Sequence, residues 1–348
     1  MHQPHKGRTL HFTLSTVLSR IGRRLSATHR GAIWHLPAFL LACSPAPEPV
    51  EETPLPPRKV QIYIFQAGKT TLQTLDLLFF QDEPLQRLDA YQHFGSIAGS
   101  RVEGTSSTAA TRAVAFSNVP EGPAAWSDVR TFASLGSRAF RLEDENPAAP
   151  LMVGTALLRE GSRRTCRITL RPMLSRITLQ SVACDFSGRS YAGEKLKDVR
   201  AYLTYASAEC HPLDTADRPA SWINAGRLDE RQTAALPHPE MLLADLCDAL
   251  GPRIYPARDF FCYANPSNGL DFGTPATRLV LEGRLGDTVY YYPIDLPGLR
   301  PGVQYRMDVT LTRAGSTDPD IPAASGAILL QREVLDWDER DLDDVHYR

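Results

Sequence analysis

The sequence predicts an all-β protein of two consecutive β-sandwich domains, with one short helix in the second. Three observations carry the prediction. Apolar and polar residues alternate with period two along most of residues 58–338, the spacing that gives a strand one buried and one wet face. The 27 prolines and 23 glycines fall mostly between those runs, where turns are needed. At 348 residues, 43% hydrophobic and 22% charged, the chain is long enough for two domains of common size.

Residues 1–42 read as a signal peptide of lipoprotein type. Lys6, Arg8, Arg20, Arg23, Arg24 and Arg30 come first, then the apolar stretch from Ala32 to Ala42. That order follows the plan of a secretory signal, and the apolar stretch is well short of the ~20 residues a membrane-spanning helix needs. Leu40-Leu41-Ala42-Cys43 has the form of a bacterial lipobox, in which small Ala42 permits cleavage and the Cys43 thiol takes the lipid. Residues 43–57 follow as a tether, because Pro45, Pro47, Pro49, Pro54, Pro56 and Pro57 among Glu48, Glu51 and Glu52 suit neither a helix nor a ladder.

The first sandwich is placed at 58–172 and opens on Val60, Ile62 and Ile64, which alternate with Gln61 and Tyr63. It closes on Cys166, Ile168 and Leu170, which alternate with Arg167 and Thr169, and the junction falls near Arg171-Pro172. The second is placed at 173–338. There Val199, Ala201, Leu203 and Tyr205 share one face, and Tyr305, Met307, Val309 and Leu311 share another. Between them, 206–238 reads as a polar, turn-rich excursion. The helix is expected from Pro239-Glu240 to Gly251, with Met241, Leu242, Leu246, Ala249 and Leu250 as its apolar stripe and the proline-first, glycine-last asymmetry at its ends. Residues 339–348 form an acidic tail.

Several function classes find no support. Setting aside the six basic residues of the leader leaves 32 basic against 40 acidic groups, a balance of −8, which disfavours nucleic acid as a partner. Cys43, Cys166, Cys184, Cys210, Cys247 and Cys262 include no CxxC pair and no histidine at zinc spacing, so neither metal nor cofactor is expected. Five thiols remain once Cys43 is lipidated; buried free cysteine is the simpler reading, and disulfides outside the cytoplasm stay open. Ala67-Gly68-Lys69-Thr70 mimics the end of a phosphate loop, but Tyr63 stands where that loop needs glycine, so a hairpin turn is expected. No Gly-x-Ser-x-Gly elbow occurs, and His93, His211, His238 and His346 are scattered. No catalytic residue and no small-molecule substrate are therefore expected. Asp318 and Asp320 around Pro319 read as a turn in preference to a calcium site, and Tyr290-Tyr291-Tyr292 as sheet packing in preference to a sugar platform.

Read in order, several segments resemble the fimbrillin-associated anchor and minor-subunit family of Bacteroides-type pili. They are Val60 to Phe65, Pro150 to Gly154, Arg171 to Leu179, Phe261 to Pro266, Thr277 to Gly283, Tyr290 to Ile294, Tyr305 to Asp320 and Val334 to Trp337. The resemblance implies two transthyretin-like Greek-key sandwiches, an outer-membrane lipoprotein exposed at the surface, and fimbrial subunits as partners, joined by strand exchange. It also implies protease trimming of stalk subunits near the first strand, here at Arg58-Lys59, whereas an anchor keeps its lipidated end. Ala327 to Leu335, with apolar Ile328, Leu330 and Val334 and followed by Trp337, is expected to form or donate an edge strand. A surface adhesin or carbohydrate-binding module of the same architecture is the alternative.

Overall fold

A computed structural model describes residues 56–66, 71–97, 99–158, 165–213, 218–269 and 273–337. The leader with Ala42 and Cys43, the tether as far as residue 55, the expected turn at 67–70 and the tail at 339–348 lie outside the described residues. Residues from Pro54 onward form one compact unit.

The first half contributes β1 (Pro57–Gln66), β2 (Leu75–Gln81), β3 (Leu88–Phe94), β4 (Arg101–Ser107), β5 (Ala110–Ser117), β6 (Phe140–Arg141), β7 (Met152–Leu157) and β8 (Thr165–Pro172). Seven of these run in the order β3-β2-β5-β7-β8-β1-β4. β8 turns the corner: its first six residues lie parallel to β1, and its last two pair with β7. The sheet thus folds over on itself, with β3 and β4 as its unpaired ends. Val60, Ile62, Ile64 and Ile168 face Leu77 and Phe79 across a dry core.

β2 and β5 are buried on both faces, which explains why Leu75-Asp76-Leu77-Leu78-Phe79-Phe80 reads almost without alternation. Leu75, Leu77 and Phe79 enter the first core, whereas Leu78 and Phe80 enter a second, larger one. The far face is covered by 119–151, from which Trp126, Val129, Leu135 and Phe140 are buried. Within that segment lies α1 (Phe132–Gly136), its start fixed by a reciprocal capping box in which Ser134 N–H donates to Thr131 Oγ1 and Thr131 N–H to Ser134 Oγ.

The second half contributes β9 (Leu174–Cys184), β10 (Lys197–Thr204), β11 (Ala206–Ser207), β12 (Glu209–Cys210), β13 (Trp222–Ile223), α2 (Glu230–Ala234), β14 (Leu243–Ala249), β15 (Arg253–Ile254), β16 (Arg258–Tyr263), β17 (Arg278–Leu285), β18 (Thr288–Asp295), β19 (Val303–Leu311) and β20 (Ile328–Asp336). One sheet is ordered β14-β10-β17-β18. The other is ordered β13-β11-β16-β9-β19-β20, with β15 also beside β9. Ile177, Leu179, Met307 and Val309 from the latter share one core with Ala201, Leu203, Leu279 and Leu281 from the former. β6 pairs with β12, so backbone hydrogen bonds tie the two halves together.

The helix expected at 239–251 is not there. Pro239–Met241 is a single 3-10 turn, and Leu243–Ala249 is the strand β14, antiparallel to β10. Leu, Ala and Met favour helix locally, but β10 has unpaired backbone groups on that side, and pairing them decides the conformation. The second half does hold a short helix, α2, which Asp229 caps by accepting from Arg231 and Gln232 N–H inside the polar excursion.

Candidate functional site

In an all-β chain the groups most able to recruit another chain are unpaired strand edges, so the site is sought there. β20 is such an edge. Nine consecutive residues pair with β19, from Leu311↔Ile328 to Val303↔Asp336, and β19 is flanked on its other side by parallel β9. Among the described residues the far side of β20 meets no strand.

Side chains of β20 follow the strand period, but its inward row is weakly covered. Ile328 and Leu330 pack half-buried against the large core, whereas Val334 is 47% exposed and Leu329, on the outer row, is 58% exposed. The strand ends on Trp337, whose indole stacks on Phe261 at 5.9 Å and whose N–H donates to Gly302 O at 2.8 Å. Ile328, Leu330 and Val334 thus lie on one edge strand, and Trp337 follows its last residue.

Two other edges are closed. β4 faces β3 across a seam where side chains replace a ladder: Asp89 accepts Ser107 N–H at 2.6 Å and Ser107 Oγ–H at 2.5 Å, and Gln92 Oε1 accepts Thr105 N–H at 2.8 Å. β18 is capped by 312–327, where Tyr291 and Ser316 exchange two backbone hydrogen bonds of 2.7 and 2.8 Å. Gly315 is required there, since a Cβ would sit 2.3 Å from Tyr291 O. β14 is a second open edge, seven residues long. Beside it runs a groove lined by Asp198, Asp245, Asp248 and Glu282, the last of which binds Arg200.

Arg58, the expected trimming position, lies inside a strand. It pairs with Ser106, is half-buried, and its guanidinium donates to Thr108 O and Ala110 O at 3.3 and 3.2 Å. Lys59 beside it is exposed, and both residues are paired with β4, so a protease reaching this bond must first open that end of β1. Tyr290 and Tyr291 are half-buried and Tyr292 fully buried, so the tyrosine run packs within the sheet. The turn at Asp318 is held by its own side chain, which accepts Asp320 N–H at 2.9 Å, while Asp320 takes Arg278 and Tyr205 Oη. The five described cysteines are free thiols, and burial pushes Cys166 up to about 11 and Cys262 up to about 12. Among the described residues no cluster of three or more His, Cys, Asp or Glu is placed to hold a metal.

One buried acid escaped sequence reasoning. Glu145, at the end of the segment that covers β2 and β5, accepts Tyr263 Oη–H at 2.9 Å and Leu151 N–H at 3.1 Å. It therefore joins the two halves. Burial pushes its carboxyl up to about 7, only partly offset by those hydrogen bonds.

The fold recurs in solved structures. A Bacteroides eggerthii protein ascribed to cell adhesion superposes with a TM-score of 0.63 over 82% of this chain and 97% of its own, at 17% identity. A fimbrilin from Porphyromonas gingivalis does so with a TM-score of 0.59 over 80% and 97%, at 12% identity. The chain shares their fold. A Parabacteroides distasonis protein ascribed to cell adhesion matches at 0.57 over 80% and 96%, with 15% identity. No family model matches the sequence, and no curated protein does. At such identities the common property is the architecture, an all-β sandwich fold of the Bacteroidales fimbrilin type.

Proposed function

We propose that this protein is a non-enzymatic structural component of a fimbria, an anchor or minor subunit held in the outer membrane and exposed at the cell surface. The observation that carries the reading is β20: a nine-residue edge left open in a fold shared with a fimbrilin, while the β3/β4 seam and β18 are closed. An open edge adds a neighbour's strand through main-chain hydrogen bonds, and exposed Leu329 and Val334 supply apolar contacts to go with them. Lipid on Cys43, at the end of a proline-rich tether, would hold the sandwiches off the membrane. Arg58 inside its strand supports an untrimmed anchor over a trimmed stalk subunit.

Two measurements test this. Labelling with a palmitate analogue should mark the parent chain in the outer-membrane fraction and leave Cys43→Ala unlabelled; an unmodified leader recovered with cytosolic protein overturns the anchor. Deleting residues 327–348 should abolish assembly into fimbriae, and normal fimbriae from that strain overturn strand pairing at β20. A carbohydrate-binding adhesin, the alternative, predicts hits on a glycan array together with intact fimbriae after deletion of the gene.

A further inference from the structure

The three strands β4, β1 and β8 present an outward face unlike any other on the molecule. Arg101, Glu103 and Thr105 on β4, Tyr63 and Phe65 on β1, and Thr165, Arg167, Thr169 and Arg171 on β8 are all exposed, while Val102, Gly104, Ile62, Ile64, Cys166, Ile168 and Leu170 between them are buried. Register brings the outward residues side by side, with Tyr63 opposite both Arg101 and Arg167. Tyr63 and Phe65 are 37% and 36% exposed, and the Arg167 guanidinium lies 3.9 Å from the centre of the Phe65 ring.

The charge on this face is one-sided. Glu103 is taken by Lys59 at 2.7 Å. Arg101, Arg167 and Arg171 have no carboxylate partner among the described residues, in contrast to Arg138, Arg200, Arg278 and Arg284, each of which has one. A basic, aromatic strip on a chain whose balance beyond the leader is acidic calls for an acidic occupant.

The chain carries one, and it starts beside the strip. Trp337 N–H is bonded to Gly302 O, and a Cβ on Gly302 would lie 3.8 Å from Arg171 Cβ. Trp337, the last described residue, therefore lies next to the end of β8, and residues 338–348 follow it in sequence. They contain Asp338, Glu339, Asp341, Asp343 and Asp344 against Arg340 and Arg348, with Leu342, Val345 and Tyr347 interspersed. Eleven extended residues reach about 36 Å, and Arg171 to Arg167 spans only about 13 Å of strand.

We infer that the acidic segment 338–348 docks on this face of its own chain, its carboxylates on Arg171, Arg167 and Arg101 and its apolar residues on Tyr63 and Phe65. Each exposed pair is weak alone, but a short tether holds the segment at an effective concentration on the order of millimolar. The inference is independent of the reading of β20 as an assembly edge.

The test uses the full chain with a fluorescent dye attached at its C-terminus. Steady-state anisotropy of the dye should be raised at low salt. It should fall to the free-tether value at about 1 M salt, where the Debye length is about 3 Å. The triple variant R101E, R167E and R171E should show the free-tether value even at low salt. Should that variant fail to fold, neutralising the five tail carboxylates to amides, which leaves the described fold untouched, should give the same loss. Anisotropy unchanged in the variants overturns the inference. So does anisotropy that rises with protein concentration, the mark of docking on a second copy, or a tail displaced only by added acidic glycan and indifferent to the three arginines.

Discussion

The β3/β4 seam of the first half and the last strand of the second half treat the same problem in opposite ways. At the β3/β4 seam, where the sheet does not close by backbone pairing, Asp89 and Gln92 reach across and satisfy the N–H groups of Ser107 and Thr105. At β20 no strand reaches across among the described residues, and apolar Leu329 and Val334 stand in the open. Edges are aggregation hazards that folds usually blunt, so a long edge left open in a molecule that closes others is the one we propose as the interface. The lesson concerns specificity: closing the other edges confines pairing to the few that remain.

That contrast can be broken from its strongest end first. Phe79 fills the first core completely, so Phe79→Ala should cost about 3–5 kcal/mol in urea unfolding, the usual penalty for emptying such a site. A loss under about 1 kcal/mol would show the first sandwich to be less rigid than its closed seam implies.

The next test addresses the join between the halves. Glu145 keeps its proton up to about pH 7 when folded, against an ordinary value of 4.5. The folded state therefore binds more protons between those values. Stability is fully present below about pH 4.5 and is lost as pH climbs to about 7, by roughly 3 kcal/mol in total. Glu145→Gln imitates the protonated acid, so this part of the pH dependence should vanish and the variant should outlast the parent at about pH 8. Urea midpoints across that range decide it.

Smaller effects separate the two edges themselves. Asp89→Ala removes a charged acceptor from the β3/β4 seam and should cost about 1.5–3 kcal/mol, with faster amide exchange at Ser107. Val334→Lys, by contrast, should change stability by no more than about 0.5 kcal/mol while blocking assembly, because lysine on an open edge deters pairing without disturbing the core. Equal effects from these two variants would erase the distinction between closed and open edge.

Much of this architecture was legible before any coordinates. Val60-Gln61-Ile62-Tyr63-Ile64 and Tyr305 to Leu311 announce their strands because one face of each is wet and one dry, and a one-residue slip would put apolar groups in water. The stretch 239–251 misleads for the opposite reason. As an edge strand it has no fully buried face to impose alternation, and its Met, Leu and Ala residues carry a helical preference of only tenths of a kcal/mol each. The site was half legible: Ile328, Leu330 and Val334 read as an edge, but the seam at Asp89 and Gln92 leaves no local trace, since their partners lie 18 and 13 residues away.

The sequence by itself determined that this is a chain of strands and, for those around Val60, Cys166 and Tyr305, which side is dry, because those properties follow from neighbours one or two residues apart. Only the tertiary structure decided which edges stay open, that Glu145 is buried between the halves, and that Arg101 and Arg167 flank Tyr63. These depend on which strands become neighbours, and parallel pairing of β1 with β8 joins residues about a hundred positions apart that no local period can register.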